Sequence, residues 1–546
     1  MTMKLNKTEL KAVEELLSSD IKDGNELMLI KRKLAKKHHI GILENSSILK
    51  ALNSLSLKPL PEVRRLLRKR SIRTLSGIAP VAVLTEPYEC PGKCAYCPTE
   101  KNVPQSYLSN EPAVMRAIRC RYDPYVQVRD RLKALVANGH EPTKIELIVI
   151  GGTWSVLPEK YKYWYIKECF RGANEFHETG NIKHEAQNAK RKTRNENIDK
   201  LKDALKKEQI KNEDAKYRII GITLETRPDY IDEKELREMR ELGCTRVEMG
   251  VQAIDDKILK LNKRGHGVGA IARATALLKD FGFKVTYHVM PGLPGSTPAG
   301  DIRMFKRLFN DGRFQPDQIK FYPTVVTRGS LLYRWWKQGK YKPYSDKVLR
   351  ELIIKCKNIV PSYVRIIRLI RDIPGESIVA GNLTTNLRQV MQQRGVKCDC
   401  IRCREIKGGK LEIRNPKLEI IKYEASGGQE CFIQAISKNK DDRNNLLGFC
   451  RLRLSSQNMK HETYDSINDS ALVRELHVYG ELVPVGKGKK IQHAGLGKKL
   501  MAEAEKIARA AGYGKMAVIA GVGVRGYYRK LGYRLKETYM VKNLHF

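Results

Sequence analysis

Tyr88-Glu-Cys-Pro-Gly-Lys-Cys-Ala-Tyr-Cys-Pro98 places Cys90, Cys94 and Cys97 in a C-x3-C-x2-C spacing, directly after a short apolar run, 79–84, that reads as a β-strand. Three thiolates on one tight loop suit a [4Fe-4S] cluster with one iron left without a protein ligand, because soft thiolate donors hold such clusters. The open iron can then bind a further molecule. The bland alternative is a zinc knuckle that has lost a ligand, or simply buried cysteines. Structural zinc takes four ligands, usually as two pairs, and no second pair lies near this loop.

From about residue 76 to 375 strand and helix patterns alternate. Strand candidates are 79–84, 144–150, 217–224, 246–251, 284–290 and 318–322; amphipathic helix candidates such as 255–261 and 270–281 separate them. Repeated βα units imply a parallel sheet. Six strands with the cysteine loop after the first predict an α/β fold of the partial (β/α)6 barrel type, with functional loops at the C-terminal strand ends. Those ends carry Gly151-Gly152-Thr153, Glu225-Thr-Arg-Pro228, Gln252 and His288-Val-Met-Pro-Gly-Leu-Pro-Gly295. Each alone is an ordinary loop feature; four in succession argue for a ligand site. The cysteine spacing resembles that of radical S-adenosylmethionine enzymes. The resemblance implies that the methionine moiety chelates the fourth iron and that one electron releases a 5'-deoxyadenosyl radical. Gly151, Gly152, Thr153, Glu225, Gln252 and His288 are the residues expected to hold S-adenosylmethionine, the glycines because they let backbone approach a ligand closely.

The 546 residues are enough for two to four domains. Lys and Arg number 102 against 61 Asp and Glu, a formal net charge of +41, which points to a polyanionic partner, nucleic acid first. No apolar run approaches the roughly 20 residues of a membrane span, and the N-terminus lacks a signal-peptide core, so no membrane role is expected. Twelve cysteines fall partly into two groups with metal-ligand spacing, which fits a reducing cytoplasm. Residues 1–75 read as helical and basic. In Pro61-Glu-Val-Arg-Arg-Leu-Leu-Arg-Lys-Arg-Ser-Ile-Arg73 five arginines and one lysine fall within thirteen residues, and no acid follows Glu62. Arg64, Arg65, Arg68, Lys69, Arg70 and Arg73 are the expected phosphate contacts. Residues 178–216 read as a highly charged insertion, either an exposed helix or a mobile loop, expected to assist nucleic-acid binding.

Cys398, Cys400 and Cys403 form a second close group, expected to bind a structural zinc with a remote fourth ligand such as Cys356. From about 411 the pattern becomes antiparallel strands (417–425, 431–437, 446–455, 471–479), then Gln492-His-Ala-Gly-Leu-Gly497 leading into an amphipathic helix. Gln-x-x-Gly-x-Gly at such a turn offers free backbone N–H groups to a pyrophosphate. The spacing resembles the acetyl-CoA loop of GNAT acetyltransferases, and Tyr527 and Tyr528 follow where that fold places them.

A basic N-terminal region (1–75), a radical barrel (76–375), a Cys-rich linker (376–410) and a GNAT domain (411–546) together resemble the tRNA uridine(34) acetyltransferase family, to which the catalytic subunit of Elongator belongs. The resemblance rests on Ile148-Val-Ile-Gly-Gly-Thr153, Gly221-Ile-Thr-Leu-Glu-Thr-Arg-Pro-Asp229, Cys398-Asp-Cys-Ile-Arg-Cys-Arg-Glu405, Leu472-Val-Arg-Glu-Leu-His-Val-Tyr-Gly480 and the 492–497 loop. It implies a [4Fe-4S] cluster, S-adenosylmethionine, acetyl-CoA and a tRNA anticodon stem-loop as partner. Acetyl-CoA is expected on Gln492, Gly495, Leu496 and Gly497, along Glu475, Leu476, His477 and Val478, and near Tyr527, Tyr528 and Lys144, the last two as catalytic candidates. The implied reaction is carboxymethylation of the wobble uridine at C5. The short cysteine spacing suggests a prokaryotic, archaeal-like member acting without other Elongator subunits; a homodimer is the assembly expected. A protein lysine acetyltransferase with a structural Fe-S barrel is the alternative, and a non-catalytic tRNA-binding platform the third reading. Reversing the charge of Arg64, Arg65 and Arg68 is expected to weaken tRNA binding and to flatten its log–log salt dependence by about 0.7–0.9 per lost phosphate contact; a filter-binding salt titration checks this.

Overall fold

The computed structural model describes residues 6–54, 63, 66–68, 77–177, 196–371, 373–384, 386–406, 416–438, 444–455, 464–479 and 495–544. Of the basic run, Arg68 lies among them, whereas Arg64, Arg65, Lys69, Arg70 and Arg73 lie outside, as does Gln492. Three helices, Lys7–Ser18, Gly24–Lys37 and Asn45–Ser54, start the chain. Asn6 and Glu9 form a capping box and Asp23 caps the second helix, satisfying N–H groups that a helix start leaves free. Val13, Leu16, Leu27, Leu34 and Leu49 share one small core. Arg68 Nε donates to Gly139 O at 3.1 Å, so this arginine holds the bundle to the next domain.

That domain is a seven-stranded parallel sheet in sequential order. Its strands are β1 (Ala79–Leu84), β2 (Lys144–Ile150), β3 (Arg218–Thr226), β4 (Cys244–Gln252), β5 (Lys284–Val289), β6 (Gln318–Phe321) and, after a two-residue β7 (Val326–Thr327), β8 (Arg365–Arg368). The six expected strands are present and β8 extends the sheet. Four residues with arginine at both ends carry too little pattern to be read as a strand. β7 pairs with β9 (Ile378–Ala380) in a ribbon. The expected exposed insertion is corrected over Ile198–Asp214: this helix packs on the helix Glu159–Asn174 and buries Leu201 and Leu205. Its mostly charged composition hid the apolar stripe.

Hydrogen bonds between non-adjacent strands show what fills the lumen. Arg246 of β4 reaches Glu146 of β2 at 2.9 Å and Gln318 of β6 at 3.3 Å, and its Nε donates to Thr223 of β3 at 2.8 Å. Thr286 of β5 donates to Gln318 at 3.1 Å. One step toward the C-terminal ends, His288 of β5 spans Glu248 of β4 and Glu225 of β3, and Lys320 of β6 pairs with Glu248. Two polar layers therefore stack inside the sheet's curl.

The C-terminal domain is a seven-stranded sheet ordered β10-β11-β12-β13-β14-β16-β15, from β10 (Lys417–Ala425), β11 (Gly428–Lys438), β12 (Asn444–Leu454), β13 (Ala471–Val478) and β14 (Lys515–Val518) to β15 (Arg534–Lys536) and β16 (Tyr539–Asn543). Only the β13–β14 pairing, Ala471–Val473 with Met516–Val518, is parallel among those described. The helix Leu496–Ala510 packs Leu500, Met501 and Ala504 on the sheet. The β12–β13 register skips Arg474, a bulge that turns Arg474, Glu475 and His477 toward the barrel.

The two domains meet at the N-terminal ends of the barrel strands. Arg474 donates to Phe283 O at 2.7 Å and grips Asp317 through both Nη atoms, at 2.9 and 2.5 Å. Arg453 donates to Asp280 at 2.8 and 2.6 Å. Arg451 bonds Glu475 at 3.0 Å and Tyr363 O at 2.6 Å. Lys279 lies 3.7 Å from Asp317 and 3.6 Å from Glu430. These side chains are almost fully buried. Burial raises the Asp317 carboxyl, but Arg474, Lys279 and Arg451 outweigh it and hold it below its ordinary range; Glu475 is brought to about 2 by Lys284 and Arg451 against the same burial. Both carboxylates bind fewer protons folded than unfolded, so their contribution is present at neutral pH and lost as pH falls below the ordinary carboxylate range. Asp317→Asn removes one charge from a buried set and is expected to cost about 3–5 kcal/mol of unfolding free energy, measured by denaturant titration at pH 7.

Candidate active site

The cysteine loop leaves β1 at its C-terminal end and is tied down through backbone. Ala95 N donates to Asn262 O at 3.0 Å and Leu332 N donates to Ala95 O at 2.7 Å. Cys90 Sγ lies 3.6 Å from Thr153 Oγ1 and accepts from Gly92 N at 3.4 Å. Arg264 Nη1 donates to Cys94 Sγ at 3.3 Å. The Cys94 thiol is pulled down to about 5, first by a hydrogen bond from Cys97 and then, against burial, by Arg264, which favours the thiolate that ligates metals. The three sulfurs are spaced more widely than those of Cys398, Cys400 and Cys403, which all lie within 4.8 Å of one another. A cluster several atoms across needs the wider set; a single ion suits the tighter one. The donor chemistry fits a [4Fe-4S] group on the first loop.

The other expected S-adenosylmethionine contacts converge on the same mouth. Gly151 and Gly152 have φ of +138° and +100°, where other residues are strained. A Cβ at Gly151 would stand 2.0 Å from Thr85 Oγ1, so no other residue fits against the end of β1. Glu225 accepts from Tyr107 Oη at 2.8 Å. Gln252 has a left-handed φ of +67°, and its buried Oε1 has no hydrogen-bond partner among the described residues. A strained residue with an unmatched acceptor at a strand end fits a polar ligand there. His288 sits deeper, with Nε2 2.9 Å from Glu248 and Nδ1 3.4 Å from Glu225; its ring is committed to these carboxylates, and the mouth reaches it through Glu225. Glu248, Lys320, Tyr107, Arg227 and Arg264 belong to this region and were not singled out from sequence. Glu248 and Lys320 are plain charged residues outside any quoted motif, and Arg227 and Asp229, though inside the quoted stretch 221–229, were given no role of their own.

The expected acetyl-CoA contacts gather at the other end of the barrel. Gly495 caps the helix Leu496–Ala510 with φ +74° and no side-chain cap, leaving the first N–H groups of the helix to an anion. Leu496 is buried in the domain core, so it contributes backbone. A Cβ at Gly497 would meet Tyr527 Oη at 2.7 Å, and that buried hydroxyl has no partner among the described residues. Leu476 and Val478 face the same core. Glu475 and His477 point to the barrel: Lys284 reaches Glu475 at 3.4 Å. The His477 ring is 4.3 Å from that of Tyr479 and stacked 5.9 Å from Phe449. Burial, with Arg365 and Lys284 nearby, brings His477 down to about 4, so it is neutral at pH 7. Burial raises the Tyr527 and Tyr528 phenols, which keeps them proton donors. Lys144, the first residue of β2, is lowered by burial and by Arg218. The open helix cap and the orphaned Tyr527 hydroxyl fit a phosphate-bearing thioester. The structure thus gathers two sets of expected residues at opposite ends of the barrel strands, of which six-residue β5 is roughly 20 Å long at about 3.3 Å per residue.

Comparison with known proteins agrees with this division. The Radical SAM superfamily matches residues 88–308, the Radical_SAM C-terminal domain 316–395 and the Acetyltransferase (GNAT) family 405–533. The tRNA uridine(34) acetyltransferase of Dehalococcoides mccartyi is 42% identical over 485 residues, 87% of this chain and 100% of that protein. The chain belongs to the tRNA uridine(34) acetyltransferase family. The Methanocaldococcus jannaschii member is 42% identical over 96% of this chain and 94% of its own, and human Elongator complex protein 3 is 40% identical over 89% and 88%. The structure of Methanocaldococcus infernus Elp3 with an N-terminal deletion aligns with a TM-score of 0.70 at 39% identity, covering 86% of this chain and 99% of that one. The radical SAM match implies a [4Fe-4S] cluster and S-adenosylmethionine, and the GNAT match acetyl-CoA. No helix among the described residues is long and apolar enough to cross a membrane.

Gly497→Val places a branched side chain against Tyr527 Oη and is expected to raise the acetyl-CoA Kd at least tenfold, about 1.4 kcal/mol, by titration calorimetry. An unchanged Kd would move the cofactor away from this helix.

Proposed function

We propose that this enzyme carboxymethylates C5 of the wobble uridine in tRNA, using acetyl-CoA and S-adenosylmethionine. The observation that carries the reading is the presence, in one welded frame, of a three-thiol loop at one barrel mouth and, in the domain docked at the other end, a glycine-led helix start beside Val478 and Tyr527. When bound, the cluster and S-adenosylmethionine would supply, for one electron, a 5'-deoxyadenosyl radical able to take hydrogen from the acetyl methyl; the carbon so exposed would join C5 of the base, the adduct would lose the C5 hydrogen as a proton and give the electron back, and water would split the thioester into the base's carboxymethyl group and free coenzyme A.

The chain's own residues bind, orient and exclude water. Cys90, Cys94 and Cys97 hold the cluster, and Gly151, Gly152, Thr153, Glu225 and Gln252 line the place of the sulfonium. Gly495 and Gly497 cradle the pyrophosphate, and the strand Glu475–Val478 runs beside the pantetheine. In this reading Tyr528, whose phenol burial keeps protonated, would donate to the thioester, and Lys144, at the start of β2, would be the second catalytic group. Cys398, Cys400 and Cys403 hold a zinc that fixes the linker; Cys356 is not among the atoms within 4.8 Å of this triad, so its fourth ligand is sought elsewhere. The basic N-terminal region receives the anticodon stem-loop, whose wobble base is unpaired and turns outward at low cost. We read the enzyme as cytoplasmic and active without other Elongator subunits.

Anaerobically reconstituted protein with S-adenosylmethionine, acetyl-CoA, reductant and bulk tRNA is expected to release 5'-deoxyadenosine and to yield a carboxymethyluridine mass on nucleoside analysis. Cys94→Ala is expected to lose both while retaining tRNA binding. Acetylated protein in place of modified tRNA, unaffected by Cys94→Ala, would favour a lysine acetyltransferase instead.

A further inference from the structure

We propose that Arg264, backed by Arg227, acts on the cluster itself: it is a positioning residue that raises the cluster's reduction potential through its bond to Cys94. The proposal rests on the assignment of Cys90, Cys94 and Cys97 as cluster ligands and goes beyond it. Arg264 is 6% exposed. Its Nε donates to Gly250 O at 3.1 Å and its Nη2 bonds the same oxygen, which fixes the guanidinium plane and aims Nη1 at Cys94 Sγ, 3.3 Å away. Among the described residues no carboxylate pairs with Arg264. A buried guanidinium without a carboxylate is costly unless another anion faces it. The groups that face it are the side chains of Cys94, Tyr96 and Cys97. The missing counter-charge is therefore at the cysteine loop.

Arg227 gives a second, independent observation. Its Nε and Nη2 are held by Asp229 at 3.0 and 2.7 Å, and Nη2 also donates to Arg264 O at 2.9 Å. Its buried Nη1 has no partner among the described residues. That atom lies 2.3 Å from where a Cβ on Gly92 would stand, so the glycine between Cys90 and Cys94 leaves room for the cation under the loop. Asp229 balances one of the two arginines, and one positive charge remains.

A [4Fe-4S] group on three thiolates gains one negative charge when it takes up an electron. A fixed cation and an N–H donor at a ligating sulfur stabilise the more negative state and so raise the potential. Lysine in place of Arg264 keeps the charge and loses the forked geometry.

The test is an EPR-monitored dithionite titration of reconstituted wild type, Arg264→Met, Arg264→Lys and Arg227→Met, without S-adenosylmethionine, so that any contact with that cofactor drops out. Iron content and near-ultraviolet absorbance report assembly. Arg264→Met is expected to assemble the cluster and to lower the reduced-to-oxidised ratio at least tenfold at a fixed poise, 59 mV for one electron. Arg264→Lys is expected to recover part of the shift, and Arg227→Met to move the same way by less. Should Arg264→Met fail to fold, the Lys and Arg227 variants carry the same sign. Midpoints equal to wild type in variants that hold the cluster would overturn the proposal and leave the cluster site standing. Wild type that binds no iron would overturn the site and the proposal with it.

Discussion

Arg474 gripping Asp317 across the domain boundary is the contact on which the remaining geometry hangs. It couples the loop before β6 to the bulge in β13, and that bulge turns Glu475 and His477 toward the barrel. Around it four cations (Arg451, Arg453, Arg474 and Lys279) face four carboxylates (Asp280, Asp317, Glu430 and Glu475) with scarcely any solvent. Such a set adds little net stability compared with apolar packing, but each member is costly to expose alone. The boundary therefore resists opening, and the two domains are held in one mutual orientation.

Much of this was legible in the sequence. The cysteine loop, the glycine pair after β2 and the 495–497 turn each require a backbone or donor chemistry that few residue types supply, and each sits where its spacing placed it. The apolar residues of β1 to β6 located these strands because the faces turned to the helices are buried and apolar, while alternate positions of β2 to β6 carry the polar lumen residues. What escaped is physically of another kind. β8 is four residues long. The helix Ile198–Asp214 buries two leucines on an otherwise charged surface. Arg264, Glu248 and Lys320 gain meaning only when strands distant in sequence bring them into one lumen, and the interdomain arginines read as ordinary surface charge until the second domain covers them. Of the basic run, Arg68 serves a structural bond as well as any phosphate contact.

The cysteine loop shows how little of a metal site its ligands define. Three sulfurs set the spacing, while Asn262 and Leu332 hold the loop, Gly92 opens space beneath it, and two arginines supply the local charge. A spacing motif records the first of these and none of the others.

The two polar layers in the lumen work as insulation. Glu146, Arg246, Thr223, Gln318 and Thr286 close one level, and Glu225, His288, Glu248 and Lys320 the next. A reactive species made at the cysteine mouth faces bonded, desolvated side chains instead of a clear line to the thioester. For the proposed chemistry, coupled turnover then depends on how often these layers yield and only secondarily on how fast a C–H bond breaks.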